Sequence, residues 1–165
     1  MLWYVIHTKP RQEQRALLNL EQQGYECYLP VLAIEKLHQR VLSVAVEPLF
    51  PRYLFIRLDV GQTGKSWGPI RSTKGVSHLV TFGKDYAKVD EKLIDALRVQ
   101  GDALSSQPQR LFAQGERVLV TEGAFAGIEA IYQMSDGESR AMVLIELLSK
   151  PAHLKISLAN LSKII

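Results

Sequence analysis

The stretch Arg52–Leu58, RYLFIRL, limits what this chain can fold into more than any other. As an extended strand it sets Tyr53, Phe55 and Arg57 on one side and Leu54, Ile56 and Leu58 on the other. The opening LWYVIH, Leu2 to His7, repeats the pattern, with Trp3, Val5 and His7 facing one way and Leu2, Tyr4 and Ile6 the other. Aromatic and branched residues dominate both stretches, so both are predicted strands. A sheet with two apolar faces needs two covers. Either the chain sandwiches the sheet itself, or one face is left to dock a partner.

Few segments can supply those covers. Ala16, Leu17 and Leu20 form the buried stripe of a predicted helix. It is capped at Thr8 or Lys9, carries Pro10 in its first turn, runs to Gln23 and stops at Gly24. A second predicted helix, Asp90–Val99, turns Leu93, Ile94 and Leu97 inward. Glu26–Leu29 and Gly75–Phe82 read as further strands, with a polar hairpin region around Gln39–Val46. Strands interleaved with two helices make an α+β fold. Gly101–Gln114 is polar, holds Pro108 and adjacent serines, and reads as a linker. The expected division is therefore 1–100, a linker 101–114, and a small domain 115–165.

In that small domain Val118 and Val120 alternate with Arg117, Leu119 and Thr121, a strand entering a glycine-rich turn at Gly123 and Gly127. Ser135–Ser139 is a second turn signal. Ala141–Lys150, AMVLIELLSK, satisfies helix and strand patterns alike. Propensities separate the two by only a few tenths of a kcal/mol per residue, so local preference leaves the segment open.

Composition narrows the function classes. Of 165 residues, 47% are hydrophobic and 22% charged, which argues against disorder. No stretch approaches the ~20 apolar residues of a membrane span, and no signal peptide is expected. The single Cys27 fits a reducing, cytoplasmic setting and is expected to be a small buried hydrophobe. The histidines His7, His38, His78 and His153 lie far apart, without metal-ligand spacing. No catalytic constellation is visible, and GQTGKS at Gly61–Ser66 has its glycines too close for a phosphate-binding loop. We therefore expect no enzyme, no metal and no cofactor.

The net charge of +3 is small, but it is unevenly spread: residues 1–100 hold 14 Lys and Arg against 10 Asp and Glu, residues 101–165 six against seven. Between Val60 and Lys84 there are no acids, while Lys65, Arg71, Lys74 and Lys84 all fall there. This stretch reads either as a phosphate-attracting surface or as a solvated loop. The first helix poses the same choice. Lys9, Arg11 and Arg15 crowd its positive end, a placement that rewards an anion, and Gln12 adds an amide able to read a base edge.

At these residues the chain resembles a known family. WYVIHTKPRQEQRA, EPLFPRYLFIRL and STKGVSHLVTFG resemble the N-terminal domain of the NusG transcription elongation factors, and GERVLVTEGAFAG resembles the KOW motif opening their C-terminal domain. EPLFP, GVSH and TEGAF followed by DGESRAM resemble most the RfaH branch, the specialised antitermination paralogues. The resemblance implies an N-terminal antiparallel sheet with flanking helices. It also implies a KOW domain that rests as an α-helical hairpin when autoinhibited and becomes a five-stranded β-barrel when released. Val5, His7, Phe50, Tyr53 and Phe55 match the positions that grip the clamp helices of RNA polymerase. Lys9, Gln12, Arg15, Thr73 and Lys74, with Arg11, Arg71 and Phe82, match a patch for single-stranded non-template DNA. Glu47 and Arg140 match an interdomain salt bridge, which as a surface pair is worth about 0–1 kcal/mol. Ile128, Ile131, Tyr132, Leu144, Leu147 and Leu148 match the masking surface.

The implied function is suppression of pausing and termination on particular operons, by a monomer that also contacts a small-subunit ribosomal protein through its C-terminal domain. Three positions depart from the RfaH pattern: Pro10 stands for an arginine, Asn19 for a DNA-contacting histidine, and Ser66–Trp67–Gly68 for a motif touching the opposite polymerase arm. A general NusG-type factor with a permanent barrel, or a KOW protein binding RNA or the ribosome, would share much of the same sequence.

Overall fold

The structure, a computed structural model, describes residues 1–59, 67–104, 118–120, 128–149 and 161–163. The first part of the chain runs β1 (Leu2–Thr8), α1 (Glu13–Gln22), β2 (Glu26–Tyr28), β3 (Val31–His38), β4 (Val41–Pro48) and β5 (Tyr53–Leu58). Then follow α2 (Gly68–Arg71), β6 (Val76–Leu79), β7 (Thr81–Phe82), β8 (Asp85–Tyr86), β9 (Lys88–Val89) and α3 (Glu91–Leu104). The last elements are β10 (Val118–Val120), α4 (Ile128–Gln133), α5 (Gly137–Ser149) and β11 (Leu161–Lys163).

The central sheet has the order β2-β5-β1-β6, with β9 sharing the β6 edge of β1, and its pairs are antiparallel. Val5 lies opposite Phe55 and Ile6 opposite Leu54, so the two alternations coincide and each face is continuous. On one face Tyr4, Ile6, Leu54 and Ile56 pack with Ala16 and Leu20 of α1 and Ile70 of α2. On the other, Trp3, Val5 and Phe55 pack with Leu93, Ile94 and Leu97 of α3 and with α4 and α5. The chain thus supplies both covers itself. Burying one such side chain contributes roughly 1.5–3 kcal/mol, so neither face could stay bare cheaply.

Several expected boundaries move. The first helix starts at Glu13, not at Thr8 or Lys9. Thr8 still pairs in β1, and Arg11 adopts φ 61, a left-handed step that no right-handed helix can continue. Pro10 therefore lies in a turn, and Arg11 and Arg15 share no helical face. The hairpin expected around Gln39–Val46 extends over all of β3 and β4, turning on Gln39 and Arg40, both at positive φ. Arg52 lies before β5, also at positive φ. The strand expected over Gly75–Phe82 is split at Val80 into β6 and β7. Helix α3 continues to Leu104, beyond the expected Val99 and into the stretch read as linker. Residues 105–117 and the turn at Gly123 and Gly127 lie outside the described residues.

Helix α1 is fixed against the turn before β6 by a close approach. A Cβ on Gly75, which sits at φ +95, would lie 2.7 Å from the backbone nitrogen of Ala16. Gly75→Ala is therefore expected to cost at least about 1–3 kcal/mol, from the left-handed backbone alone. A lowered urea midpoint of unfolding would register it, and an unchanged midpoint would mean that α1 is not seated this tightly.

Candidate functional site

The face of the sheet under α4 and α5 gathers the apolar residues singled out in the sequence. Val5, Phe50 and Phe55 are fully buried, with the Phe50 and Phe55 rings edge to face at 6.3 Å. Ile128, Ile131 and Tyr132 of α4 and Leu144, Leu147 and Leu148 of α5 belong to the same cluster. The Tyr132 hydroxyl donates to the Leu97 carbonyl at 2.9 Å, tying α4 to α3. His7 and Tyr53 are only half-buried, their rings 5.0 Å apart. Burial, then Arg52 and His78, lower the His7 pKa, and Nδ1 has no hydrogen-bond partner. The neutral ring is the favoured form, so His7 leaves stability unaffected above its ordinary pKa and opposes folding as pH falls through it.

Ala141–Ser149 is helical. Burial at Ala141, Leu144 and Leu148 follows a helical period, and contact with the sheet decides what local propensity left open. Asp136 starts α5 by accepting hydrogen bonds from the Glu138 amide at 3.2 Å and the Ser139 hydroxyl at 2.8 Å. The Ser139 bond is the main reason its carboxyl pKa is lowered. The helix then meets the loop before β5 closely: a Cβ on Gly137 would lie 2.7 Å from Pro51.

Arg140 and Glu47 do meet, at 2.8 Å, but not as the expected surface pair. The Arg140 side chain is 0% exposed, Glu47 30%. The guanidinium also donates to the Leu49 carbonyl at 2.7 Å and to that of Met134. Its arrangement is that of a desolvated cation whose donors are met from the residue that follows α4, from β4 and from the loop after β4.

The candidate cationic residues lie on the opposite side of the sheet, around α1. The Lys9 amide donates to the Gly75 carbonyl at 2.9 Å, and the Asn19 amide to the Lys74 carbonyl at 3.2 Å. These bonds hold the turn before α1 and the second half of the helix against the loop of Lys74, and Lys9, Arg11, Arg15 and Lys74 are exposed. Gln12 is half-buried. Thr73 is buried: its hydroxyl donates to the Pro69 carbonyl and accepts from Gln23, both at 2.8 Å, so it shapes the loop and does not reach outward. Arg71 is exposed at the end of α2, whereas Phe82 packs against the other core cluster, apart from these cations.

Sequence reasoning missed three features. Arg98 stands over both Trp3, at 5.3 Å, and Tyr28, at 4.9 Å. Glu13 is buried and accepts from the Arg52 amide at 3.3 Å. Leu49 is fully buried beside Phe50. Only Leu49, inside the apolar run LF, left a trace in the sequence. Among the described residues no three His, Cys, Asp or Glu are grouped to hold a metal, and no helix is long and apolar enough to cross a membrane.

This fold and these blocks are those of a transcription factor family: the family model described as "Transcription termination factor nusG" matches residues 1–98. The chain belongs to the NusG family. It is 24% identical to the transcription termination/antitermination protein NusG of Streptomyces coelicolor, over 98% of this chain and 62% of that protein. It is 28% identical to the NusG of Helicobacter pylori, over 100% of this chain and 99% of that one. The chain spans about three fifths of the length of the Streptomyces relatives, 62%, 59% and 64% in three of them. The solved structure "Domain interaction in Thermotoga maritima NusG" is similar at a TM-score of 0.43 and 18% identity, over 74% of this chain and 73% of that one.

Two predictions follow from this geometry. Glu47→Gln keeps the shape and removes the charge, leaving Arg140 buried without its counter-ion. Breaking a buried pair costs about 3–5 kcal/mol, and the partial exposure of Glu47 places this case toward the lower end. Amide exchange in α5 should rise while α1 stays protected; unchanged exchange in α5 would mean that the pair does not hold it. Burial, then Glu21 and Glu26, push the Cys27 thiol up to about 12. Ellman's reagent at pH 8 should therefore react slowly with the native protein and at once in denaturant. Fast native reaction would contradict the burial.

Proposed function

We propose that this chain is an autoinhibited antitermination factor of the RfaH type within the NusG family. Its clamp-binding face is Val5, His7, Phe50, Tyr53 and Phe55, and α4 and α5 mask it at rest. The observation that supports this reading is the cover itself: the pair of helices α4 and α5 fills the apolar face and is pinned by the buried Arg140 against Glu47. Released, the face grips the clamp helices of RNA polymerase. Lys9, Arg11, Arg15 and Lys74 meanwhile hold the phosphates of exposed single-stranded non-template DNA. Keeping the clamp closed around DNA then suppresses pausing and termination without chemistry by the factor. The displaced segment refolds as a KOW β-barrel and contacts a ribosomal protein.

The relatives reported above carry the NusG name, which favours a second reading, a general factor whose C-terminal barrel is permanent. Binding to purified RNA polymerase separates the two. For the masked factor, the full chain should bind weakly, Glu47→Gln should bind at least about ten-fold more tightly, and Tyr53→Ala in that background should remove the gain. Tight binding by the unmutated chain, unchanged by Glu47→Gln, would leave the general factor. Binding indifferent to Tyr53→Ala would sink the clamp assignment in both readings.

A further inference from the structure

A cavity of about 380 Å³ opens beside α2, lined by Trp67, Gly68, Arg71, His78, Leu79, Thr81 and Tyr86. Its size lies within the range of small-molecule sites. We propose that it is a subsite for one unstacked nucleobase of single-stranded DNA, with the adjoining phosphate on Arg71. The proposal rests on the single-strand reading of the neighbouring cations and extends it to a base.

Three observations support it. The rings are fixed in advance. Trp67 Nε1 donates to the Asp59 carbonyl at 3.2 Å, and its ring stands edge to face with Tyr4 at 4.9 Å and with Tyr86 at 5.3 Å. Yet Tyr86 is 45% exposed and Trp67 is only partly buried, so aromatic surface remains for a ligand. Rings already held in place lose little freedom when a base packs on them. Second, the electrostatics suit a phosphate: among the described residues none that lines the cavity is acidic, and Arg71 makes no ion pair. Third, the cavity continues the cationic surface. The loop that leaves α2 at Arg71 runs to Lys74, whose carbonyl is held by Asn19 of α1. A strand whose phosphates track Lys9 and Lys74 is thereby led toward Arg71 and the aromatic pair.

The test is fluorescence titration of the full chain with a short oligodeoxythymidylate, with anisotropy of a labelled copy reporting binding separately. Trp3 is 2% exposed, so Trp67 should carry the change, and Trp67→Phe should remove it while binding persists. Stacking predicts quenching on binding, and a weakening of roughly five- to hundred-fold for Tyr86→Ala. Arg71→Ala should weaken binding and reduce the salt slope by about one. An oligonucleotide of abasic sugars should bind more weakly and quench nothing.

Binding that Lys74→Ala weakens, but with no quench and no effect of Tyr86→Ala, would overturn the base subsite and leave the cationic surface standing. No binding at low salt would overturn both. Equal quenching by thymidine 5′-monophosphate at similar concentration would make this a free-nucleotide site and overturn the strand assignment. Quenching by oligouridylate with none by oligodeoxythymidylate would likewise overturn the choice of DNA.

Discussion

The β1–β5 ladder carries apolar side chains on both faces, and the rest of the structure is arranged to keep water from them. Val5 opposite Phe55 and Ile6 opposite Leu54 lock the register, because a slip of one residue would exchange the faces. The two covers differ in kind. Helix α1 is joined to β1 by a short turn, and Gly75 lets the facing loop close against its backbone. Its cover is local and hard to remove. Helices α4 and α5 reach the other face from far along the chain and are held, among the described residues, by side-chain packing, the Tyr132 hydroxyl and the bonds of Arg140 to Leu49 and Glu47. The face proposed for polymerase is the one covered by segments distant in sequence.

Arg140 makes that attachment conditional. Taking a guanidinium out of water costs several kcal/mol, and here the Leu49 and Met134 carbonyls and Glu47 offset the loss. These partners lie on different segments, so the compensation exists only while α5 rests on the sheet. An apolar residue of similar volume could cover the face without such a dependence. An arginine makes closure specific to one geometry, and a change near Glu47 acts directly on it. Exposed pairs contribute only about 0–1 kcal/mol, so the burial of Arg140 is what gives this contact leverage.

What was legible in the sequence was whatever carries its own burial pattern. β1 and β5 alternate within themselves, and Leu93, Ile94 and Leu97 mark the inner face of α3. The start of α1 was not legible, because the left-handed turn at Arg11 falls on a residue type that gives no such signal. The continuation of α3 past Gly101 was hidden by a composition that suits a linker. The paired strands β3 and β4 extended beyond the polar residues that signalled a hairpin. Tyr53, Phe55 and the Lys9 and Lys74 cations were singled out by their types and by family resemblance. The depth of Arg140, the inward turn of Thr73 and the cavity at Trp67 and Tyr86 each join segments far apart in the chain, where local pattern is silent.

The same distinction explains why Ala141–Ser149 could not be assigned from its residues. A helix shorter than about 12–15 residues is marginal alone, and α5 runs 13 residues beside a still shorter α4. Helix and strand propensities differ here by tenths of a kcal/mol per residue, whereas burying Leu144, Leu147 and Leu148 contributes roughly 1.5–3 kcal/mol each. The sheet therefore decides the helix. On the proposed reading, a partner that occupies Val5, Phe50 and Phe55 removes the surface that made the helical form favourable and strands the charge of Arg140 at once. Masking and secondary structure are then one equilibrium, and the weak local preference of this segment is what allows a docking event on the sheet to move it.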